Sequence, residues 1–296
     1  MQDRTKFLGG TDAAAVLGLS RFRTPLEVWA IKTGTVKEED ISNKLSVKLG
    51  KKLEDTVAEL FEEETGKKTH KVSESQIHPE YPFLGAQIDR KVEGEDAVLE
   101  VKTASAWKAK EWVGEEIPIE YIIQVMHQLA VTGRKLGYIA VLIGNQDFKW
   151  KKIVRDEKMI KEMVKKEVDF WNNFVLTKTM PMIVKAQDDD ILYKLYPDSN
   201  QKEVELGDDA NKVLESLEGL RADRASVEDA IAQQENELKL MLKENEIGIT
   251  DKYRFSWKTQ QRQSVDLEKL KGAGLYEQFA KITQTRVFRY GKKKEE

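Results

Sequence analysis

Two apolar runs, Phe83-Leu84-Gly85-Ala86-Gln87-Ile88-Asp89 and Ala97-Val98-Leu99-Glu100-Val101-Lys102, carry charges that a buried strand does not ordinarily tolerate. Glu93, Gly94, Glu95 and Asp96 form a turn between them, so the pair reads as a hairpin. Burying a carboxylate or an ammonium costs several kcal/mol unless a partner or a cation compensates it. Period-2 alternation puts Glu100 and Lys102 on one face, and Asp89 on the paired strand can come opposite Glu100. Two carboxylates with an amine beside them suit a hard cation such as Mg²⁺ and a phosphoryl oxygen, the ammonium orienting water or offsetting charge. An exposed same-face ion pair would explain Glu100 and Lys102 equally simply, but Leu84, Ile88, Val98, Leu99 and Val101 are too apolar for a hairpin wet on both sides.

Helices are expected around this hairpin. Leu8 to Gly18 reads as a glycine turn, then Thr11 or Asp12 as N-cap, then a short apolar helix; its first amides offer an anion site that Arg4 can reach. Pro25 opens a second helix that ends by Gly34. A third runs from about Asn43 to Thr65, with Gly66 as its stop and Leu49, Leu53, Val57, Leu60 and Phe61 on one stripe. Glu54 lies on or beside that stripe, where it either pairs with a buried base or reaches a metal. A strand at 67–73 and a proline-containing loop lead into the hairpin; beyond it, a helix over 121–130 aligns Tyr121, Gln124 and Gln128. Strands over 136–143 and 148–154 and a helix over 156–176 complete an α/β domain with a mixed sheet.

The chain has no cysteine, which excludes disulfides, thiolate metal sites and cysteine nucleophiles and fits a reducing cytoplasm. No stretch has signal-peptide character or membrane-span length, so no membrane partner is expected. Net charge is -3 with 34% charged residues, so a nucleic-acid partner would have to be read from local patches.

Arg4 with Gly9-Gly10-Thr11-Asp12, then Leu49-Gly50-Lys51-Lys52-Leu53-Glu54, then Asp89 followed by Glu100-Val101-Lys102, then Tyr121 and Gln124, together resemble the YqaJ-type viral recombinases. These are relatives of bacteriophage lambda exonuclease within the restriction-endonuclease-like, PD-(D/E)xK, nuclease superfamily. The resemblance spans about residues 4–180 and implies a restriction-endonuclease-like core with a central mixed β-sheet flanked by helices. It implies a Mg²⁺-dependent 5′-to-3′ exonuclease, with two ions and Mn²⁺ as a substitute, acting on linear double-stranded DNA. The 3′ overhang would pass to a single-strand annealing protein in the cytoplasm of a bacterial host carrying the phage or prophage. Carried over, Asp89, Glu100 and the carbonyl of Val101 hold metal with a contribution from Glu54, and Lys102 positions the nucleophilic water. Arg4 and Thr11 grip the terminal 5′-phosphate, Gln87 contacts DNA, and Tyr121 and Gln124 line the site. Thr11 stands where the family usually has Ser, and Gln87 where it often has Ser or Pro. Relatives that close into trimeric rings imply a homo-oligomer. An endonuclease or repair nuclease would share the acids without needing the phosphate grip, and a non-catalytic assembly protein would act through the C-terminal third.

That third changes pattern. The expected organisation is a nuclease core over 1–190, a heptad-patterned helical segment over 205–247 and a small β-rich tail over 248–296. Leu206, Ala210, Val213, Leu217, Leu220, Arg224, Val227, Ile231, Gln234, Leu238 and Met241 alternate spacings of four and three, leaving open one long helix or a folded-back hairpin. Tyr253 to Lys258 and Thr285 to Tyr290 interleave basic and aromatic residues, as nucleic-acid-binding strands and half-buried strands both do.

Overall fold

A computed structural model describes residues 4–182, 185–283 and 286–291, with only the backbone at Arg4. The chain divides into two compact units, Met1–Pro197 and Asp198–Glu296.

The first unit contains α1 (Gly10–Val16), α2 (Pro25–Lys32), α3 (Leu45–Thr65), β1 (Thr69–Lys71), β2 (Gln76–Ile77), β3 (Gly85–Ala86), β4 (Arg90–Val92) and β5 (Ala97–Ala104). It continues with α4 (Ile119–Thr132), β6 (Leu136–Ile143), β7 (Asp147–Val154), α5 (Glu157–Phe170) and α6 (Asp189–Leu195). Its main sheet has the order β1-β4-β5-β6-β7, while β2 and β3 form a separate pair. The pair β5 and β6 is parallel from Ala97↔Leu136 to Ala104↔Ile143; the other neighbours are antiparallel. Parallel strands need a crossover, and α4 supplies it. The sheet is therefore mixed and flanked by helices.

Alternation along β5 divides the core. Ala97 and Leu99 pack toward α3 with Val57, Ala58, Phe61 and Tyr138, whereas Val98 joins the cluster containing Val125 and Leu129 of α4. Glu100 and Lys102 have the same parity as Val98, so both side chains enter the layer between the sheet and α4. Close packing there needs Gly137: a Cβ at that position would lie 2.3 Å from Val125 Cγ1.

Three local expectations are corrected. Gly9, not Thr11 or Asp12, is the N-cap of α1, because the Asp12 carboxylate reaches back to accept the Gly9 N–H at 3.0 Å. The run 83–89 is not one strand: β3 pairs with β2, the chain leaves it at Gln87, and Asp89 occupies a bend immediately before β4. The stripe of α3 is buried at Val57 and Phe61, but Leu49 remains 45% exposed, although its neighbour Gly50 lies against Thr103 of β5.

The second unit contains one uninterrupted helix, α7 (Asp208–Leu242), of 35 residues. At 1.5 Å per residue it is about 52 Å long, so this segment is not a helical hairpin. The hairpin of β8 (Ile247–Ile249) and β9 (Arg254–Ser256) follows, then α8 (Leu267–Gly272) and α9 (Tyr276–Phe279). The β part of the tail is thus one short hairpin among the described residues. Arg286 to Tyr290 is not in a strand, and Thr285 lies outside those residues. No helix among the described residues is long and apolar enough to cross a membrane.

Candidate active site

The β4–β5 ladder ends at Arg90↔Leu99, and the same register carried one step further sets Asp89 opposite Glu100. Asp89 Oδ2 accepts the Val101 N–H at 2.8 Å. The N–H and C=O of one strand residue point to the same edge, so the Val101 carbonyl also faces the space that β4 has vacated. Two carboxylates and a carbonyl are gathered at the end of one short hairpin.

The opposite wall is α4. Gln124 Nε2 donates to Glu100 Oε1, Gln128 Nε2 to Glu100 Oε2, and Gln128 also donates to the Gln87 carbonyl at 3.2 Å. Lys102 Nζ donates to Glu100 Oε1 at 2.6 Å and to Gln124 Oε1 at 3.0 Å. It also lies 5.1 Å from the centre of the Tyr121 ring, which stacks on Trp112. Gln128 was outside the expected catalytic set, yet it holds the second oxygen of the buried acid. Its signal was the four-residue spacing from Gln124 on one helical face.

Burial pushes the Asp89 carboxyl up to about 8, and the Glu100 charge adds to this, against the Val101 N–H and Lys102. Burial lowers the Lys102 ammonium, but the charge and hydrogen bond of Glu100 outweigh that loss and leave it above its ordinary value. Burial is the larger cause of the raised Asp89 pKa, and a bound cation would offset the smaller one, the repulsion between the two carboxylates. Asp89, Glu100 and the Val101 carbonyl form a hard-oxygen set suited to Mg²⁺.

Glu54 lies near enough for its charge to act on Asp89, but its carboxylate is paired with Lys71 Nζ at 3.0 Å. Among the described residues no group of three or more acids or histidines is arranged to hold a metal ion. The Gln87 side chain is exposed and turned toward Ser75 and Val72; only its backbone joins the Gln128 contact. Thr11 is exposed at the start of α1 and lines a cleft of about 920 Å³ with Arg23, Lys51, Lys102, Tyr121 and Gln124. The two helices touch there: a Cβ on Gly10 would lie 2.9 Å from Gln124 Cγ and 3.1 Å from its carbonyl oxygen. Arg4 begins a short 3-10 helix before α1, and its side chain lies outside the described residues.

Behind α4 the chain buries another charged group. His127, fully enclosed, has Nδ1 at 2.8 Å from Glu167 Oε1 and Nε2 at 2.9 Å from the Gly85 carbonyl oxygen. Burial opposes the imidazolium, but Glu167 and the Gly85 carbonyl raise its pKa. The pair ties α4, α5 and β3 together behind the acids.

The model of the YqaJ-like viral recombinase domain matches residues 1–135. An uncharacterized protein, YqaJ, of Bacillus subtilis strain 168 is 37% identical over 292 residues, covering 97% of this chain and 91% of the relative. The chain belongs to the YqaJ family. Among solved structures, an alkaline exonuclease (LHK-Exo) from Laribacter hongkongensis superposes with a TM-score of 0.51 at 20% identity, covering 60% of this chain and 91% of that one. The same exonuclease in complex with dAMP gives a TM-score of 0.51 at 21% identity, with the same coverage. The YqaJ-family chain therefore shares the fold of that exonuclease.

Proposed function

We propose that the protein is a Mg²⁺-dependent deoxyribonuclease that degrades the 5′-ended strand of linear duplex DNA and exposes a 3′ single strand for annealing-type recombination. The observation that carries this reading is the convergence of Asp89, Glu100, the Val101 carbonyl and Lys102 in the middle of β5, just past the last pair of the β4–β5 ladder and facing Gln124 of α4. Membership of the YqaJ family and the exonuclease fold support it.

Asp89, Glu100 and the Val101 carbonyl would hold the metal, with Glu54 joining once released from Lys71. When bound, the ion supplies Lewis acidity at the phosphoryl oxygen and lowers the pKa of a coordinated water. The protein's own groups do the positioning. Gln124 and Gln128 fix both oxygens of Glu100, so its orientation does not depend on the ion. Lys102, held between Glu100 and Gln124, directs the attacking water and offsets charge at the reacting phosphate. Tyr121, backed by Trp112, forms a flat wall beside it. Thr11, together with Arg4 by family resemblance, takes the terminal 5′-phosphate.

A duplex labelled at one 5′ end or one 3′ end, incubated with Mg²⁺, tests the reading, with covalently closed and 5′-dephosphorylated duplexes alongside. Early loss of the 5′ label, slower loss without the phosphate and no attack on the closed circle are expected. Efficient cutting of the closed circle would replace the exonuclease reading with an endonuclease one. A homo-oligomeric ring and a single-strand annealing partner belong to the same proposal.

A further inference from the structure

The helix α7 presents its heptad seam to solvent: Val213 is 67% exposed, Leu220 64%, Val227 58% and Ile231 54%. A 3.5-residue apolar period over this length is the pattern of a helix made to supercoil with another helix. Its polar interruptions indicate which one. Counted from Asp229, the seam positions fall at 2, 5, 9 and 12 residues on either side, as Leu217, Leu220, Arg224 and Val227 before it and Ile231, Gln234, Leu238 and Met241 after it. Any 3,4 spacing reads the same in both directions, but nothing in that spacing requires the two polar residues, Arg224 and Gln234, to occupy equivalent steps.

We propose that α7 pairs antiparallel with α7 of a second copy of this chain, on a two-fold axis level with Asp229. In that register each Arg224 meets the second copy's Gln234, a planar five-donor group against an amide oxygen, and every other central step is apolar. Val227 packs on the second copy's Ile231, Leu220 on Leu238 and Leu217 on Met241. On the flank, Arg221, which lies 4.6 Å from the centre of its own chain's Tyr290 ring, faces the second copy's Glu235, which has Lys239 of its own helix at 3.7 Å. Glu228 meets its own counterpart at the axis, and each Glu228 accepts Arg224 Nε of its own helix at 2.7 Å. Asp223 and Glu237 meet at the rim, where water screens them. A parallel pair would instead stack Arg224 on Arg224 inside the seam and place Asp223 beside Glu228.

This pairing goes beyond nuclease activity and stands independently of it. Closed two-fold interfaces are isologous, so the assembly contains an even number of chains, whatever other contacts exist. The chain has no cysteine, so single cysteines can be introduced on the full-length protein without a background. Ala230→Cys faces its own counterpart across the axis and is expected to yield covalent dimers with a short bismaleimide. Val213→Cys, about 48 Å from its counterpart in this arrangement but adjacent to it in a parallel pair, is expected to yield none. Linking at Val213→Cys, or none at Ala230→Cys, overturns the proposal. Light scattering supplies an independent measurement: the parent mass should be an even multiple of one chain, fall by half in Val227→Glu/Ile231→Glu and persist in Ile231→Leu. An odd multiple, or a mass unmoved by the two glutamates, also overturns it.

Discussion

Asp89 accepts the backbone N–H of Val101 at 2.8 Å, across the point where β4 has released β5. One acid is thereby fastened to the strand that carries the other acid and the lysine. The strands bring the three groups together, and Gln124 and Gln128 of α4 hold Glu100 and Lys102 from the other side.

Lys102→Ala is expected to reduce degradation of linear duplex by about 10²-fold or more, the scale on which loss of one directed cation or donor acts. Binding to a DNA end should change little. Measuring single-turnover degradation alongside end binding separates the two, and undiminished degradation would remove Lys102 from the chemistry.

Asp89→Asn separates charge from shape. The Asp89 carboxyl is raised by burial, then by Glu100, from 3.8 to about 8. The folded metal-free protein therefore retains a proton that the unfolded chain has released, so this group's contribution to stability is present below about pH 4 and is lost as pH rises toward about 8. The amide removes that loss, so the thermal midpoint without metal should rise by several degrees at pH 8.5 and by progressively less toward pH 4. Added Mg²⁺ or Mn²⁺ should raise the midpoint of the parent but not of Asp89→Asn. Equal metal shifts in both proteins would count against Asp89 as a ligand.

Gln128→Leu removes the donor to Glu100 Oε2 and the bridge to the Gln87 carbonyl while keeping the volume. Its expected effect is a drop of about tenfold in the maximal rate with little change in KM, because metal-site residues held less firmly by outer contacts commonly lose 10–100-fold. A KM effect alone would assign Gln128 to DNA binding.

Much of this arrangement was legible in the residues. The run 136–143 became β6 with the same limits because a continuous apolar run between turn signals has few alternatives in an α/β chain. The same-face placement of Glu100 and Lys102 followed from strand parity. What escaped has physical causes. Asp12 caps α1 backward from its third residue, so the side-chain signal is displaced from Gly9, which has no side chain to announce itself. Periodicity in α3 identifies which residues share a stripe but not how much of that stripe is covered, and Leu49 stays exposed. Asp89 was placed at the end of a long strand because apolar content alone does not reveal that the chain changes sheets at Gln87.

His127→Ala should cost about 3–5 kcal/mol, the scale for leaving one partner of a buried charged pair uncompensated, here Glu167. The His127 pKa is raised, so its contribution is fully present below the ordinary imidazole value of 6.5 and fades as pH rises through the higher folded value. Denaturant titrations of parent and variant at several pH values should converge on the alkaline side. A constant difference would mean that packing, rather than charge, is what the substitution removes.

Gly10→Val should destabilise the first unit by about 1–3 kcal/mol, as overpacked sites do, because its side chain would meet the Gln124 backbone. Thermal unfolding measures this directly, and a neutral result would mean that α1 and α4 separate freely.

That contact also sets how the start of α1 stands to the acids. Thr11 follows Gly10 in sequence, and Gln124 touches both Gly10 and the acid–lysine cluster, so the distance from the start of α1 to Glu100 passes through helix, glycine and amide with no loop in between. An enzyme that holds a strand end at Thr11 while cutting at Glu100 would measure its product with a rigid gauge. In such an enzyme a change in the helix–helix contact would alter product length.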